Sequence, residues 1–177
     1  MARRMALTPE VAFEQHRERL LSVIYLRMGP QLRTRMDAED VLQEVAIEAI
    51  NSWHSLAEEQ HAGAWLVTLA KRKIARILRD QIGVAARNPN RERHVPTDLP
   101  VADRRTGPVT AADRRDRLEL LDKALERLPL DYREVILLTK IEDLPAKVVG
   151  VRMDRSENAV NLLLSRALKR LAEELKL

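Results

Sequence analysis

Pro89, Pro96, Pro100 and Pro108 punctuate a stretch from about Val84 to Thr110 in which no helical or strand period survives. Proline fixes φ and lacks an amide donor, so neither a helix interior nor a central strand runs through such a stretch. Apolar residues at helical spacing occupy both flanks. An aperiodic segment of roughly 25 residues is too long for a loop inside one compact domain. The expected architecture is therefore all-α: two small helical domains, residues 1–84 and 113–177, joined by a flexible linker over 85–112. Composition agrees. Aromatics are only 3% of the 177 residues, which disfavours a β-sandwich, and 45% hydrophobic residues suffice for cores packed by Leu, Ala and Ile.

Other counts exclude whole classes of chemistry. There is no cysteine, which removes disulfides, thiolate catalysis and Cys-ligated zinc and suits a reducing compartment. No apolar run approaches the roughly 20 residues needed to span a bilayer. The basic start Met1-Ala2-Arg3-Arg4-Met5 has no apolar signal region behind it. A cytoplasmic protein without membrane insertion is expected. The net charge of +4 is modest, but the charge is segregated along helices, which says more than the total.

In the first domain, Thr8 caps a helix from Pro9 to about Met28, and Gly29-Pro30 breaks it. A short basic connector from Gln31 to Met36 follows, whose Arg33 and Arg35 read as solvated rather than as phosphate contacts, the other use open to them. Asp37 is the N-cap of a second helix. Val41, Leu42, Val45, Ala49, Ile50 and Trp53 recur at helical spacing and are expected to be buried. Asp40, Gln43, Glu44 and Ile47 fall together on another face. His54 to Gly63 reads as a loop. The next helix, from about Ala64 to Asp80, turns Trp65, Leu66, Leu69, Ala70, Ile74, Ile77 and Leu78 inward, while Lys71, Arg72, Lys73, Arg76 and Arg79 crowd the rest. One helix offers carboxylates and the next cations, a division that suits a protein partner and a nucleic-acid partner.

In the second domain, helical periodicity resumes at about Ala111 and stops before Pro129. A second helix starts at about Asp131 and runs to Ile141. Pro145 opens a short helix, Ala146 to Arg152. Met153-Asp154-Arg155 is a tight turn, and Ser156 caps a last helix to about Leu175. A short helix, a turn of about three residues and a longer capped helix is the helix-turn-helix pattern, or else a plain helical hairpin. Val160, Leu164, Ala167, Leu168 and Leu171 form its core face. Glu157, Asn158, Asn161, Leu162 and Ser165 face away. Asn can pair with adenine, Glu can accept from cytosine and Leu can touch a thymine methyl. Arg155, Arg166, Lys169 and Arg170 could hold phosphates. Gly150 within the short helix, costing about 1 kcal/mol against Ala, weakens the pattern.

Together these stretches resemble bacterial sigma factors of the extracytoplasmic-function (ECF) group of the sigma-70 family. Asp37-Ala38-Glu39-Asp40-Val41-Leu42-Gln43-Glu44-Val45 and Ala64-Trp65-Leu66 with Leu69-Ala70-Lys71 are similar to region 2. Leu128-Pro129, Arg133-Glu134-Val135, Glu142-x-Leu144, Val160 and Arg166-Ala167-x-Lys169-Arg170-Leu171 are similar to region 4. The resemblance implies a protein that binds core RNA polymerase, directs it to promoters and assists DNA melting. Asp40, Gln43, Glu44 and Ile47 would dock on the β′ clamp helices. His54, Gln60 and His61 in the loop, with Lys71, Arg72, Lys73, Arg76 and Arg79 behind it, would capture and hold melted −10 DNA. Arg155, Ser156, Glu157, Asn158, Asn161, Leu162, Ser165, Arg166 and Lys169 would read the −35 element, and region 4 would also grip the β-flap. An anti-sigma factor is a further candidate partner. The recognition helix departs from the family at Asn161, Leu162 and Leu163, where basic or hydroxyl residues are usual, so promoter preference does not transfer.

Rival readings are an enzyme, a helix-turn-helix regulator that is not a sigma subunit, and a polymerase-interaction protein that has lost DNA reading. The four histidines are scattered, and there is neither a phosphate-binding Gly loop nor a nucleophile elbow. No catalytic residue, metal site or cofactor is expected.

Overall fold

Thr8 holds the start of the first helix as its spacing predicts: its hydroxyl accepts from the Val11 amide at 3.3 Å, and Pro9 occupies the first turn. The computed structural model describes residues 7–87 and 110–176, and every regular element among them is helical. Helix α1 spans Pro9–Arg33, α2 Ala38–Ser52 and α3 Ala62–Arg87. After residues 88–109, which lie outside the description and hold most of the expected linker, come α4 (Ala111–Glu126), α5 (Leu130–Ile136), α6 (Ala146–Met153) and α7 (Glu157–Glu174).

Helix α1 is two pieces. Gly29 adopts φ 69° and ψ 166°, a conformation open to glycine, and Pro30 starts a further helical turn. The break falls where Gly-Pro places it, but the connector beyond is partly helical. Two 3₁₀ turns, Trp53–Ser55 and Glu59–His61, fill the expected loop between α2 and α3. Helix α3 then runs past its expected end near Asp80, through Gly83. Helix α5 does not continue as an α-helix to Ile141 but widens into a π-type segment, Leu137–Ile141. Thr110 caps α4 in a reciprocal capping box with Asp113. Those hydrogen bonds hold the Asp113 carboxyl below the usual carboxylate range.

The first three helices pack on one another around Leu20, Ile24, Leu32, Leu42, Val45, Leu66 and Ala70. The last helices do the same around Leu125, Val135, Val149, Val160 and Ala167. These aliphatic side chains are almost wholly withdrawn from water, and each buried Leu, Ile or Val among them contributes roughly 1.5–3 kcal/mol of transfer free energy. Some stripe positions were misread. Ile50 is 49% exposed, and Leu78 and Leu168 also reach solvent, because the apolar stripe of each helix is wider than the surface its neighbours cover. Trp53 and Trp65 are half-buried and meet edge to face, 5.7 Å between centroids. Among the described residues no helix is long and apolar enough to cross a membrane.

Helix α1 also touches α4 and the π-type segment, so the two halves meet. The basic connector takes part. Arg33 is not solvated: its guanidinium pairs with the buried Asp122 of α4, donates to the Tyr25 carbonyl at 2.7 Å and lies 4.3 Å from the centre of the Tyr25 ring.

Candidate polymerase and nucleic-acid surfaces

Helix α2 begins at Asp37, whose carboxylate accepts from the Glu39 amide at 3.0 Å. With Ala38, Val41, Leu42, Val45 and Ala49 buried, the helical period turns Asp40, Gln43 and Ile47 outward. Ile47 is 60% exposed. Exposed isoleucine beside carboxylate and amide groups suits a protein partner better than bulk water. Glu44 stands half-buried at the edge of this face and pairs with Lys73 of α3. The acidic and basic faces therefore touch along one seam rather than serving wholly separate surfaces. Glu44, Ile47, Glu48, Asn51, Ser52, Lys73 and Arg76 line a shallow groove along it.

The expected cations of α3 divide in two. Arg72, Arg76 and Arg79 are exposed, and the first two are four residues apart on one face. Lys71 and Lys73 are half-buried and paired, Lys71 with Glu142 and Lys73 with Glu44. His54 is exposed on the first 3₁₀ turn. Gln60 and His61 are exposed on the second, where Gln60 donates to Glu58 and His61 Nδ1 lies 3.6 Å from the same carboxylate. That acidic neighbour makes the second turn a poor place for a phosphate contact.

At the other end of the chain, Ser156 caps α7 by accepting from the Ala159 amide at 3.2 Å. Val160, Ala167 and Leu171 anchor that helix. Glu157, Asn158, Asn161, Leu162, Ser165, Arg166 and Lys169 are all exposed, so the outward face is the expected one. Arg155 is exposed but engaged with Asp131 at 2.5 Å. The turn before α7 depends on Gly150. The Arg155 amide donates to the Gly150 carbonyl at 2.8 Å, and a Cβ on Gly150 would lie 2.5 Å from the Arg155 carbonyl oxygen. The glycine that weakened the helix-turn-helix pattern in the sequence is thus what lets the two helices approach. Asp154 closes the short helix at φ 53° and ψ 50°, the left-handed cap the turn needs.

The geometry and the relatives agree. Residues 12–82 match the family model described as Sigma-70 region 2, and residues 118–171 match the one described as Sigma-70, region 4. The chain belongs to the ECF sigma factors of the sigma-70 family. It is 29% identical over 154 residues to the ECF RNA polymerase sigma factor SigD of Mycobacterium tuberculosis (strain ATCC 25618 / H37Rv), covering 84% of this chain and 68% of that protein. It is 25% identical over 158 residues to the ECF RNA polymerase sigma factor SigX of Bacillus subtilis (strain 168), covering 87% and 78%. Its fold is similar to that of the sigma factor RpoE, solved in complex with the anti-sigma factor NepR from Bartonella quintana. The TM-score is 0.55 at 19% identity, over 93% of this chain and 96% of that one. As an ECF sigma factor, the chain has its place in promoter-specific transcription initiation.

The sequence missed the residues that join the halves of this sigma factor. Glu142, in the turn after the π-type segment, is 1% exposed and is ringed by cations from three helices. Arg27 Nη2 of α1 approaches it at 2.6 Å, Lys71 Nζ of α3 at 2.8 Å and Arg152 Nη1 of α6 at 3.6 Å. Arg27 also grips Glu134 through both terminal nitrogens at 3.1 Å. Burial opposes the Arg27 charge, but the two carboxylates outweigh it and raise its pKa. A carboxylate at this depth is retained only when several donors compensate its lost hydration. The likeness to region 4 picks out Glu142 over its exposed neighbour Asp143, but nothing in the sequence announces its burial or its three cationic partners.

Proposed function

We propose that this sigma factor acts as the detachable promoter-reading subunit of RNA polymerase, a non-enzymatic initiation factor working in the cytoplasm. The α2 face of Asp40, Gln43, Glu44 and Ile47 docks on the β′ clamp helices. The basic face of α3, led by Arg72, Arg76 and Arg79, holds the phosphates of the opened −10 strand, while His54, Gln60 and His61 approach unstacked bases. Helix α7 enters the major groove at the −35 element, with Asn158, Asn161, Leu162 and Ser165 toward base edges and Arg166 and Lys169 toward phosphates. Residues 1–84 and 113–177 are the two functional units, and the second also grips the β-flap.

The observation that carries this reading is the exposed apolar-acidic face of α2, with Ile47 60% exposed between Gln43 and Asn51, on the same chain as a capped and outward-facing recognition helix. A regulator that worked apart from polymerase would have no use for the first of these. Each DNA contact alone is modest, and tethering two of them through polymerase raises avidity by about 10²–10⁴. An anti-sigma factor is proposed as the negative regulator, on the precedent of the solved relative captured with NepR.

The test is transcription in vitro with core polymerase and a genomic template, followed by mapping of transcript starts. Discrete start sites that require the chain are expected. Transcripts indistinguishable from those of core polymerase alone would overturn the reading.

A further inference from the structure

The outermost row of side chains on α7 is Asn158, Leu162, Ser165 and Lys169, spaced four, three and four residues apart and all exposed. The opposite side of the helix is buried at Val160, Ala167 and Leu171. Leu162 stands in the middle of the outer row and is 61% exposed. A lone exposed leucine is ordinary on a protein surface. Its neighbours make this one informative. Asn158 and Asn161 lie one turn before it and beside it, and Ser165 and Arg166 lie one turn after it. An apolar group therefore sits at the centre of a patch of amides and a hydroxyl.

The cations are distributed just as unevenly. From Glu157 to Ser165 there is no lysine or arginine. Arg155, immediately before the helix, is engaged with Asp131, and Arg170 near its end is engaged with Glu173 and Glu174. Arg166 and Lys169 are exposed and enter no ion pair among the described residues. In a helix-turn-helix the first turns of the second helix meet base edges. Guanine is read in the major groove by an arginine or lysine on O6 and N7. Adenine is read by an amide on N6 and N7, and thymine alone among the four bases presents a methyl group. The first turns of α7 thus hold two adenine readers and a methyl reader, and no guanine reader. Glu157 is an acceptor only, so it can meet a cytosine amine but cannot replace the missing cation.

We propose that α7 reads A·T pairs at the centre of the −35 element, with Leu162 packed on the C5-methyl of a thymine and Asn158 and Asn161 paired with neighbouring adenines. Arg166 and Lys169 then hold the phosphates alongside. The assignment rests on the reading of α7 as the −35 helix given above and adds the base chemistry. It also gives a use to Leu162, the position at which the helix departs from the basic or hydroxyl residues usual in the family.

The test uses holoenzyme assembled from the full-length chain and core polymerase. Bound promoters are selected from a library randomised at the −35 element, and each thymine of the recovered element is then replaced singly by uracil, which removes only the methyl. Recovered elements should centre on adjacent A·T pairs. One uracil should lower parental affinity about fourfold, the worth of one buried methyl, and should leave the affinity of Leu162→Ala unchanged. Asn158→Ala with Asn161→Ala should weaken the adenine preference by roughly fivefold or more. Because the uracil arm alters the DNA and not the protein, its result does not depend on how a variant folds. Guanine at the centre of the recovered elements overturns the proposal. So does A·T enrichment without a uracil effect, which would mean that groove shape is read instead. Equal uracil losses in parent and Leu162→Ala reject the leucine contact, and weaker binding of Leu162→Ala to core polymerase without DNA would assign the leucine to a protein surface. A holoenzyme that starts transcripts at no discrete site sinks the proposed function, whereas discrete starts from a guanine-centred element sink only the base assignment.

Discussion

The backbone of Arg155 lies so close to Gly150 that a methyl group there would sit 2.5 Å from the Arg155 carbonyl oxygen. The same two residues are joined by the hydrogen bond from the Arg155 amide to the Gly150 carbonyl. This contact sets the approach of α6 to α7 and hence the angle at which the outward face of α7 is presented.

Gly150→Ala should therefore destabilise, although alanine gains about 1 kcal/mol of helix propensity. The obstructing atom is backbone on both sides and cannot swing away, so overpacking of about 1–3 kcal/mol is expected to outweigh that gain. Gly63→Ala provides the control. The nearest atoms to its added Cβ would be those of the His16 ring, 2.8 Å away at Cε1, and a half-buried imidazole can rotate outward. Urea midpoints should fall for Gly150→Ala and stay within about 0.5 kcal/mol for Gly63→Ala. Equal stability of the two variants would contradict the assigned turn geometry.

What was legible beforehand follows the range of the interaction. The Thr8, Asp37 and Ser156 caps each accept from an amide two or three residues onward, so the pattern is local and the residue types announce it. The outward faces of α2 and α7 follow from helical period alone. Arg33, Lys71 and Glu142 were beyond reach because their partners stand 89 and 71 residues away. In sequence a buried, compensated carboxylate looks the same as a solvated one. Gly150 was misweighed for a related reason: its propensity cost is local, and the close approach that offsets it arises only once α6 and α7 are packed.

His16 supplies a pH dependence whose sign can be worked out. Burial, and then the charge of Arg19, lower its pKa from the ordinary 6.5. The unfolded chain thus takes up a proton at a pH where the folded chain still refuses it. Its contribution is intact above about pH 6.5 and is lost as pH falls through the depressed folded value. Urea unfolding at about pH 7.5 and about pH 5.5 should show a larger drop for the parent than for His16→Gln. Identical drops would remove His16 from the acid sensitivity of the protein.

The two exposed faces of the first three helices should be separable by mutation. Asp40→Ala with Ile47→Ala strips charge and apolar area from the face of α2 without touching its buried stripe. Arg72→Ala with Arg76→Ala strips exposed cations from α3 and leaves the paired Lys71 and Lys73 in place. The first pair should abolish co-purification with core polymerase, since truncation at the centre of an interface commonly costs 2 kcal/mol or more, or roughly 30-fold in affinity. The second should leave that binding largely intact and reduce strand opening, read as permanganate reactivity of promoter thymines, with a weaker salt dependence of DNA binding. Helicity by circular dichroism should be parental in both. If the α3 variant lost polymerase and the α2 variant lost only strand opening, the two surfaces would have to exchange roles. The Lys73–Glu44 pair along their seam makes partial crossover the informative result. A small polymerase defect in Arg76→Ala alone would mean that the groove shared by Ile47 and Arg76, rather than the α2 face by itself, is what the clamp grips.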